Sequence, residues 1–139
     1  MRVIFDTNVV LDVLLDREPF AGDAAHLFAI AEREELDAFL CATTITTIHY
    51  LASKALGSDQ ARVLVKKLLS LFEIAPVNRA VLESAEELGF TDFEDAVLHE
   101  AARHVGVQAI VTRDSKGFAQ AALPIYTPGL LLKALQSLG

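Results

Sequence analysis

The sequence turns on Val3-Ile4-Phe5, an unbroken apolar run that halts at Asp6-Thr7-Asn8. A run without polar alternation, built of residues that favour strands, fits a strand buried on both faces, as in a parallel sheet covered by helices on each side. From Val9 the period changes, because Val9, Val10, Val13 and Leu14 recur at helical spacing. Asp6-Thr7-Asn8 is therefore the turn between a strand and a helix. In open α/β sheets ligands bind at the carboxyl ends of strands, so this acidic turn sits in the functional position. Helix capping alone would also account for Asp6 or Asn8, since both are favoured N-cap residues.

The same alternation continues along the chain. Asp16-Arg17-Glu18-Pro19-Phe20 is a polar connection whose proline stops the first helix. Ala24, Ala25, Leu27, Phe28, Ile30 and Ala31 mark a second helix, ending in the solvated charge run Glu32 to Glu35. Leu36 to Cys41 reads as a second buried strand, and Thr43 or Thr44 caps a helix that Gly57 terminates. Ser58-Asp59 offers a cap for the next helix, carrying Val63, Leu64, Lys67, Leu68 and Leu71. Phe72 to Val77 predicts a third strand, with Pro76 confining it to an edge.

Asn78 caps a helix running through Leu88, and the acidic stretch Thr91 to Asp95 opens another with a core face of Leu98, Ala101, Ala102 and Val105. Gln108 to Thr112 is a fourth strand, Arg113-Asp114-Ser115 a turn, and Pro124-Ile125-Tyr126 a short edge strand. Thr127 caps and Pro128 starts a last helix. Strands that alternate with helices argue an α/β fold, a three-layer α/β/α sandwich around a mostly parallel sheet of four to five strands. Right-handed crossovers then bring Asp6, Thr43-Thr44 and Asp114, which all follow strands, to one edge of that sheet.

Composition narrows the function classes. A chain of 139 residues is expected to form a single domain, residues 1–139, with a core of its own. Its 53% hydrophobic content and mean hydropathy of +0.38 are high, and such a chain should hide apolar surface against a second copy or a partner. Charges interrupt every apolar stretch before the ~18 residues of a membrane span. Residues 1–20 lack a basic start, apolar centre and small-residue cleavage site, so the expected location is the cytoplasm. The single cysteine, Cys41, lies in an apolar run and reads as a core thiol. A net charge of −7 disfavours phosphate binding through basic residues. It suits acids gathered at a site that cations neutralise, or an acidic surface that a basic partner covers.

Asp6, Asp92, Asp95 and Asp114 are candidates for such a site. Asp92 and Asp95 stand at i and i+3, on one face if the helix begins at or before Asp92. Asp92 as a helix cap and Asp114 as the cap of the Ser115-Lys116-Gly117 turn are the plainer readings. Oxygen-only ligands suit Mg²⁺ or Mn²⁺ and not zinc. The chemistry that follows is hydrolysis of a phosphodiester by water, with a cation assisting the attacking and leaving oxygens. Arg113 and Lys116 beside Asp114 are candidates to hold a phosphate.

Asp6-Thr7-Asn8 closing an N-terminal strand, Asp95-Ala96 at the start of a late helix, and Thr112-Arg113-Asp114 closing a late strand together resemble the PIN-domain nucleases. Within that family the chain is similar to the bacterial VapC-like toxin ribonucleases. The resemblance runs from Val3 to about Leu135 and implies a PIN-like sheet order, RNA as substrate, a homodimer, and a cognate antitoxin that blocks the site. It makes Asp6, Asp95 and Asp114 the catalytic, metal-binding acids, with Asn8 and Thr112 as polar supports and Asp92 as an additional acid. The sequence departs from the family's pattern at Thr47, where PIN nucleases usually carry a glutamate. A hydroxyl cannot replace a carboxylate as a charged ligand, so weak metal binding and dependence on Asp92 are expected.

Two other readings compete. A PIN-fold binding module without strong nuclease activity would follow from the loss of that glutamate. A phosphatase with an aspartyl nucleophile would need an Asp-x-Asp pair after the first strand, and Asn8 stands where its second aspartate would be. Among the histidines, His49 and His99 lie near the candidate acids, but a satisfied or exposed role accounts for each.

Overall fold

A computed structural model describes residues 1–138. In chain order it contains β1 (Arg2–Phe5), α1 (Thr7–Leu14), α2 (Ala21–Glu32), β2 (Asp37–Cys41), α3 (Ala42–Leu56), α4 (Ser58–Leu71) and β3 (Glu73–Ala75). Then follow α5 (Arg79–Glu86), α6 (Phe93–His104), β4 (Ala109–Val111), a 3₁₀ turn (Ser115–Phe118), β5 (Ile125–Tyr126) and α7 (Pro128–Leu138). The five strands form one sheet in the order β3-β2-β1-β4-β5, and every neighbouring pair is parallel. The expected α/β sandwich is present, with an all-parallel sheet at the upper end of the expected strand count.

The unalternated strand runs explain the layers. Val3 and Phe5 point into one core with Val9, Leu27, Leu40, Ile48, Leu68, Val111 and Leu131. Ile4, between them in sequence, points into the opposite core with Phe39, Cys41, Val97, Ala101, Ile110 and Phe118. Each central strand thus has two buried faces, which a period-two arrangement of side chains makes possible only when both parities are apolar. In the first core Phe5 stacks on Phe28 and meets Phe72 edge-on, with ring centroids 5.7 and 5.5 Å apart. Cys41 is a buried free thiol, as its apolar neighbourhood suggests.

Strand ends and caps depart from the sequence expectations at several places: β2, β4 and β5 are each shorter than expected by a residue or two, α5 ends at Glu86 and not Leu88, and three departures have a clear local form. The third strand is confined to Glu73–Ala75, because Pro76 has no N–H to continue the ladder; it is an edge strand as expected. α3 begins at Ala42, so Thr43 and Thr44 lie inside its first turn and neither is the cap. α4 begins directly after Gly57, and neither Ser58 nor Asp59 caps it. Elsewhere the expected caps hold: Asn78 accepts from the Val81 N–H at 3.0 Å, and Thr127 Oγ1 accepts from the Leu130 N–H at 3.2 Å.

The sheet order positions the site. From β1 the chain moves outward to β2 and β3, then returns to the other side of β1 for β4 and β5. The carboxyl ends of β1 and β4 therefore flank the point where the winding reverses, the crevice in which open α/β sheets bind ligands.

Candidate active site

Phe5 pairs with Val111 in the β1–β4 register, so the next residue of each strand, Asp6 and Thr112, comes side by side at the crevice. The Asp6 N–H still donates to Val111 O at 2.9 Å, which continues the ladder by one rung. Asp6 is only 8% exposed, and its carboxylate is hydrogen-bonded through both oxygens: Oδ1 accepts from the Thr7 N–H at 2.8 Å, and Oδ2 accepts from Thr112 Oγ1 at 2.7 Å. Asp6 is thus the N-cap of α1 and a cleft acid at once. Thr112, fully buried, also accepts from the Asp114 N–H at 2.9 Å, so one hydroxyl ties the first strand to the turn carrying Asp114. Asn8 Nδ2 lies 3.4 Å from both Asp6 Oδ2 and Thr112 Oγ1, and its Oδ1 is 3.4 Å from the Arg113 N–H.

Asp6, Asp92, Asp95 and Asp114 all line one cleft, together with Thr7, Asn8, Thr43, Thr44, Thr47, Glu94 and Leu98. Asp92 is the N-cap of α6, one residue outside the helix, and its Oδ1 accepts from the Asp95 N–H at 3.1 Å. The condition for an i, i+3 helical face is therefore not met. Asp114 Oδ1 likewise caps its turn by accepting from the Gly117 N–H at 3.1 Å. A Cβ placed on Gly117 would stand 2.7 Å from Asp114 Oδ2 and 2.9 Å from Asp95 Oδ2, so these oxygens flank one point that only glycine leaves open.

Burial pushes the Asp6 carboxyl above its ordinary range; the hydrogen bonds from Thr112 and Thr7 oppose this, and the charges of Asp114 and Glu94 add to it. Asp95 is half-buried, and burial first, then repulsion from Asp6, Asp92, Asp114 and Glu94, raises its carboxyl to about 7. Carboxyls perturbed by burial and like charges within one cleft are characteristic of functional sites. Among the described residues no three His, Cys, Asp or Glu side chains close into a metal cage. The acids instead line an open cleft, a donor set that suits Mg²⁺, which keeps several waters and takes one or two carboxylates.

Three features were not legible as site elements in the sequence. Glu94 lines the cleft and accepts from Thr47 Oγ1 at 3.1 Å; its signal was its place between Asp92 and Asp95. Gly117 makes room for two carboxylates. Asp12, fully buried, accepts two hydrogen bonds from the Arg113 guanidinium, the one from Nη2 at 3.1 Å, with Arg17 Nε 3.5 Å away. The Arg113 guanidinium also lies 3.9 Å above the Phe20 ring. Arg113 is therefore a clamp between Thr112 and Asp114 and not a free phosphate ligand, and the tract from Asp16 to Phe20 supplies part of its seat. A charged Asp12 among Val9, Val10, Leu11 and Val13 was the available signal.

The histidines stay outside the cleft. His49 is exposed. His99 is buried, with Nδ1 2.8 Å from Glu100 Oε2 and Nε2 accepting from the Ala122 N–H at 3.0 Å. That bond fixes Nε2 as the acceptor, so Nδ1 carries the proton and donates to Glu100.

A family model for the PIN domain matches residues 2–116. Ribonuclease VapC1 of Aquifex aeolicus is 27% identical over 123 residues, 85% of this chain and 85% of that protein. The structure of VapBC2 from Rickettsia felis bound to a DNA fragment from their promoter is similar with a TM-score of 0.69 at 17% identity, covering 91% of this chain and 98% of that one. The sarcin-ricin loop cleaving toxin VapC20 of Mycobacterium tuberculosis is similar with a TM-score of 0.68, also at 17% identity, covering 85% of this chain and 94% of that one. At these identities the structural likeness speaks for the fold. The matched span of the family model takes in both strand ends of the crevice and all four candidate aspartates, and the chain belongs to the PIN-domain family.

Proposed function

We propose that this protein is a metal-dependent endoribonuclease that hydrolyses RNA phosphodiester bonds and serves as the toxin of a toxin–antitoxin pair. The observation that carries the reading is the gathering of Asp6, Asp95 and Asp114 in one cleft at the switch point of the sheet. Ribonuclease VapC1 supports RNA as the substrate, and relatives solved as VapBC complexes support an antitoxin as partner. Mg²⁺ or Mn²⁺ would be held by Asp6, Asp95 and Asp114, with Asp92 at the rim of the same cleft. When bound, such a cation supplies Lewis acidity at the scissile phosphate and neutralises the charge that develops there.

The chain's own groups prepare that chemistry. The Thr112 hydroxyl and the Thr7 N–H direct their hydrogens at Asp6, which fixes the orientation of both of its oxygens at the cleft. The Asp95 carboxyl, raised to about 7, is partly protonated at neutral pH and gives up that proton when a cation enters, since ligating carboxylates must be ionised. Arg113, anchored on Asp12, holds the turn that presents Asp114.

Mn²⁺ is expected to raise the thermal stability of the purified protein, because it binds only the folded cleft. It should also switch on cleavage of single-stranded RNA. Asp6→Asn should abolish cleavage while preserving the fold; full cleavage by that variant would remove the proposed site. A second reading is a PIN-fold binding module, favoured by Thr47 at the place of the usual glutamate. It gains if the partner-free protein binds divalent cations yet cuts no RNA.

Self-association belongs to the same proposal. Tyr50, Leu51, Leu56 and Val63 are exposed on α3 and α4, and two-fold pairing would cover such a surface. Sedimentation at high micromolar concentration should give a dimer in the cytoplasmic range of ionic strength; a monomer would contradict it.

A further inference from the structure

Thr47 and Glu94 come from different helices and meet across the cleft. Thr47 lies in the second turn of α3 and Glu94 is the second residue of α6. An exposed glutamate in the first turn of a helix is free to extend into water, where it still complements the helix dipole. Glu94 instead reaches toward α3, where the Thr47 hydroxyl donates to its Oε1 at 3.1 Å. One oxygen is thereby fixed, and Oε2 has no protein donor among the described residues. Asp92 has a different arrangement: its carboxylate is turned back onto its own helix, where it caps the Asp95 N–H. Of the two additional acids, only Glu94 is held by a residue of another helix lining the cleft.

We propose that Glu94, delivered by α6 and held by the Thr47 hydroxyl, is the fourth carboxylate of the cation site. Thr47 and Glu94 together then occupy the wall where a single glutamate on α3 would otherwise stand. The acid expected from sequence to substitute, Asp92, acts as the helix cap. This inference rests on the proposed cation-dependent function of the same cleft.

Calorimetric titration of the full chain with Mn²⁺ tests it, alongside thermal shifts at saturating Mn²⁺. Glu94→Gln keeps an acceptor for Thr47, and Asp92→Asn keeps the cap oxygen, so each removes charge at nearly constant shape. Glu94→Gln should weaken Mn²⁺ binding about tenfold or more, as loss of a ligand or of its water-bridged partner does. Asp92→Asn should weaken it less than about threefold, the size of a screened charge at the rim. Adding Thr47→Glu to Glu94→Gln should recover most of the lost affinity, because it returns a carboxylate to the same wall. Unchanged Mn²⁺ binding by Glu94→Gln, with Asp95→Asn clearly weakened, would overturn the role of Glu94 while leaving the cation site standing. Wild-type protein that binds no Mn²⁺, or binds it equally after Asp95→Asn, would overturn the cation site and this inference with it.

Discussion

Replacing Asp95 by asparagine in the absence of divalent cations should make the protein more stable at alkaline pH. Asp95 is half-buried and faces Asp6, Asp92, Asp114 and Glu94, and its carboxyl is raised from 3.8 to about 7. An acid with a folded pKa above its unfolded value makes the folded state bind the proton more tightly, so stability falls as pH rises between those two values. The penalty is absent below about pH 4 and fully present above about pH 7. A displacement of that size corresponds to about 4 kcal/mol if none of it were screened. Because much of the carboxyl and several of its neighbours face solvent, about 1–2 kcal/mol is the appropriate figure. Asp95→Asn, which cannot ionise, should therefore unfold about 3–6 °C higher than wild type at pH 8 and within about 1 °C of it at pH 4. Scanning calorimetry in chelator across this range measures the difference. Saturating Mn²⁺ should reverse the order at pH 8, because only the wild-type cleft binds the cation well. A variant less stable than wild type at pH 8 in chelator would refute the electrostatic account of the cleft.

Gly117→Ala should cut RNA cleavage at least about tenfold, since its Cβ would lie 2.7 and 2.9 Å from oxygens of Asp114 and Asp95, and misplacement of reacting groups is costly. Its melting temperature should stay close to that of wild type, because those carboxylates can swing aside; loss of stability without loss of activity would contradict the assignment. Arg113→Ala strands the buried Asp12 carboxylate with only Arg17 nearby and should cost about 2–3 kcal/mol in urea unfolding. It should also lower cleavage, as Arg113 sits between Thr112 and Asp114; an unaffected stability would show that the ion pair contributes no more than a surface pair does.

Local sequence was sufficient for the order of the elements and for several residues of the candidate site. Val3-Ile4-Phe5 announces a doubly buried strand because both side-chain parities are apolar, and the change of period at Val9 locates the turn that carries Asp6. Asn78 and the Thr127-Pro128 pair mark helix starts through hydrogen bonds that reach only three residues along the chain. Which partners most of these acids meet depends on contacts that sequence spacing does not encode. Asp6 meets Thr112 because β1 pairs with β4, 106 residues away, and strand order in a parallel sheet depends on how the crossover helices pack. Asp92 caps α6 through a bond that reaches only three residues along the chain, whereas Glu94 meets Thr47 only because α3 and α6 approach across the crevice. Asp12 gains a partner, and Gly117 a reason to be glycine, from the turn after β4 folding over α1 and α6. Periodicity tells a residue which face it will bury; the partner waiting on that face is chosen by long-range packing.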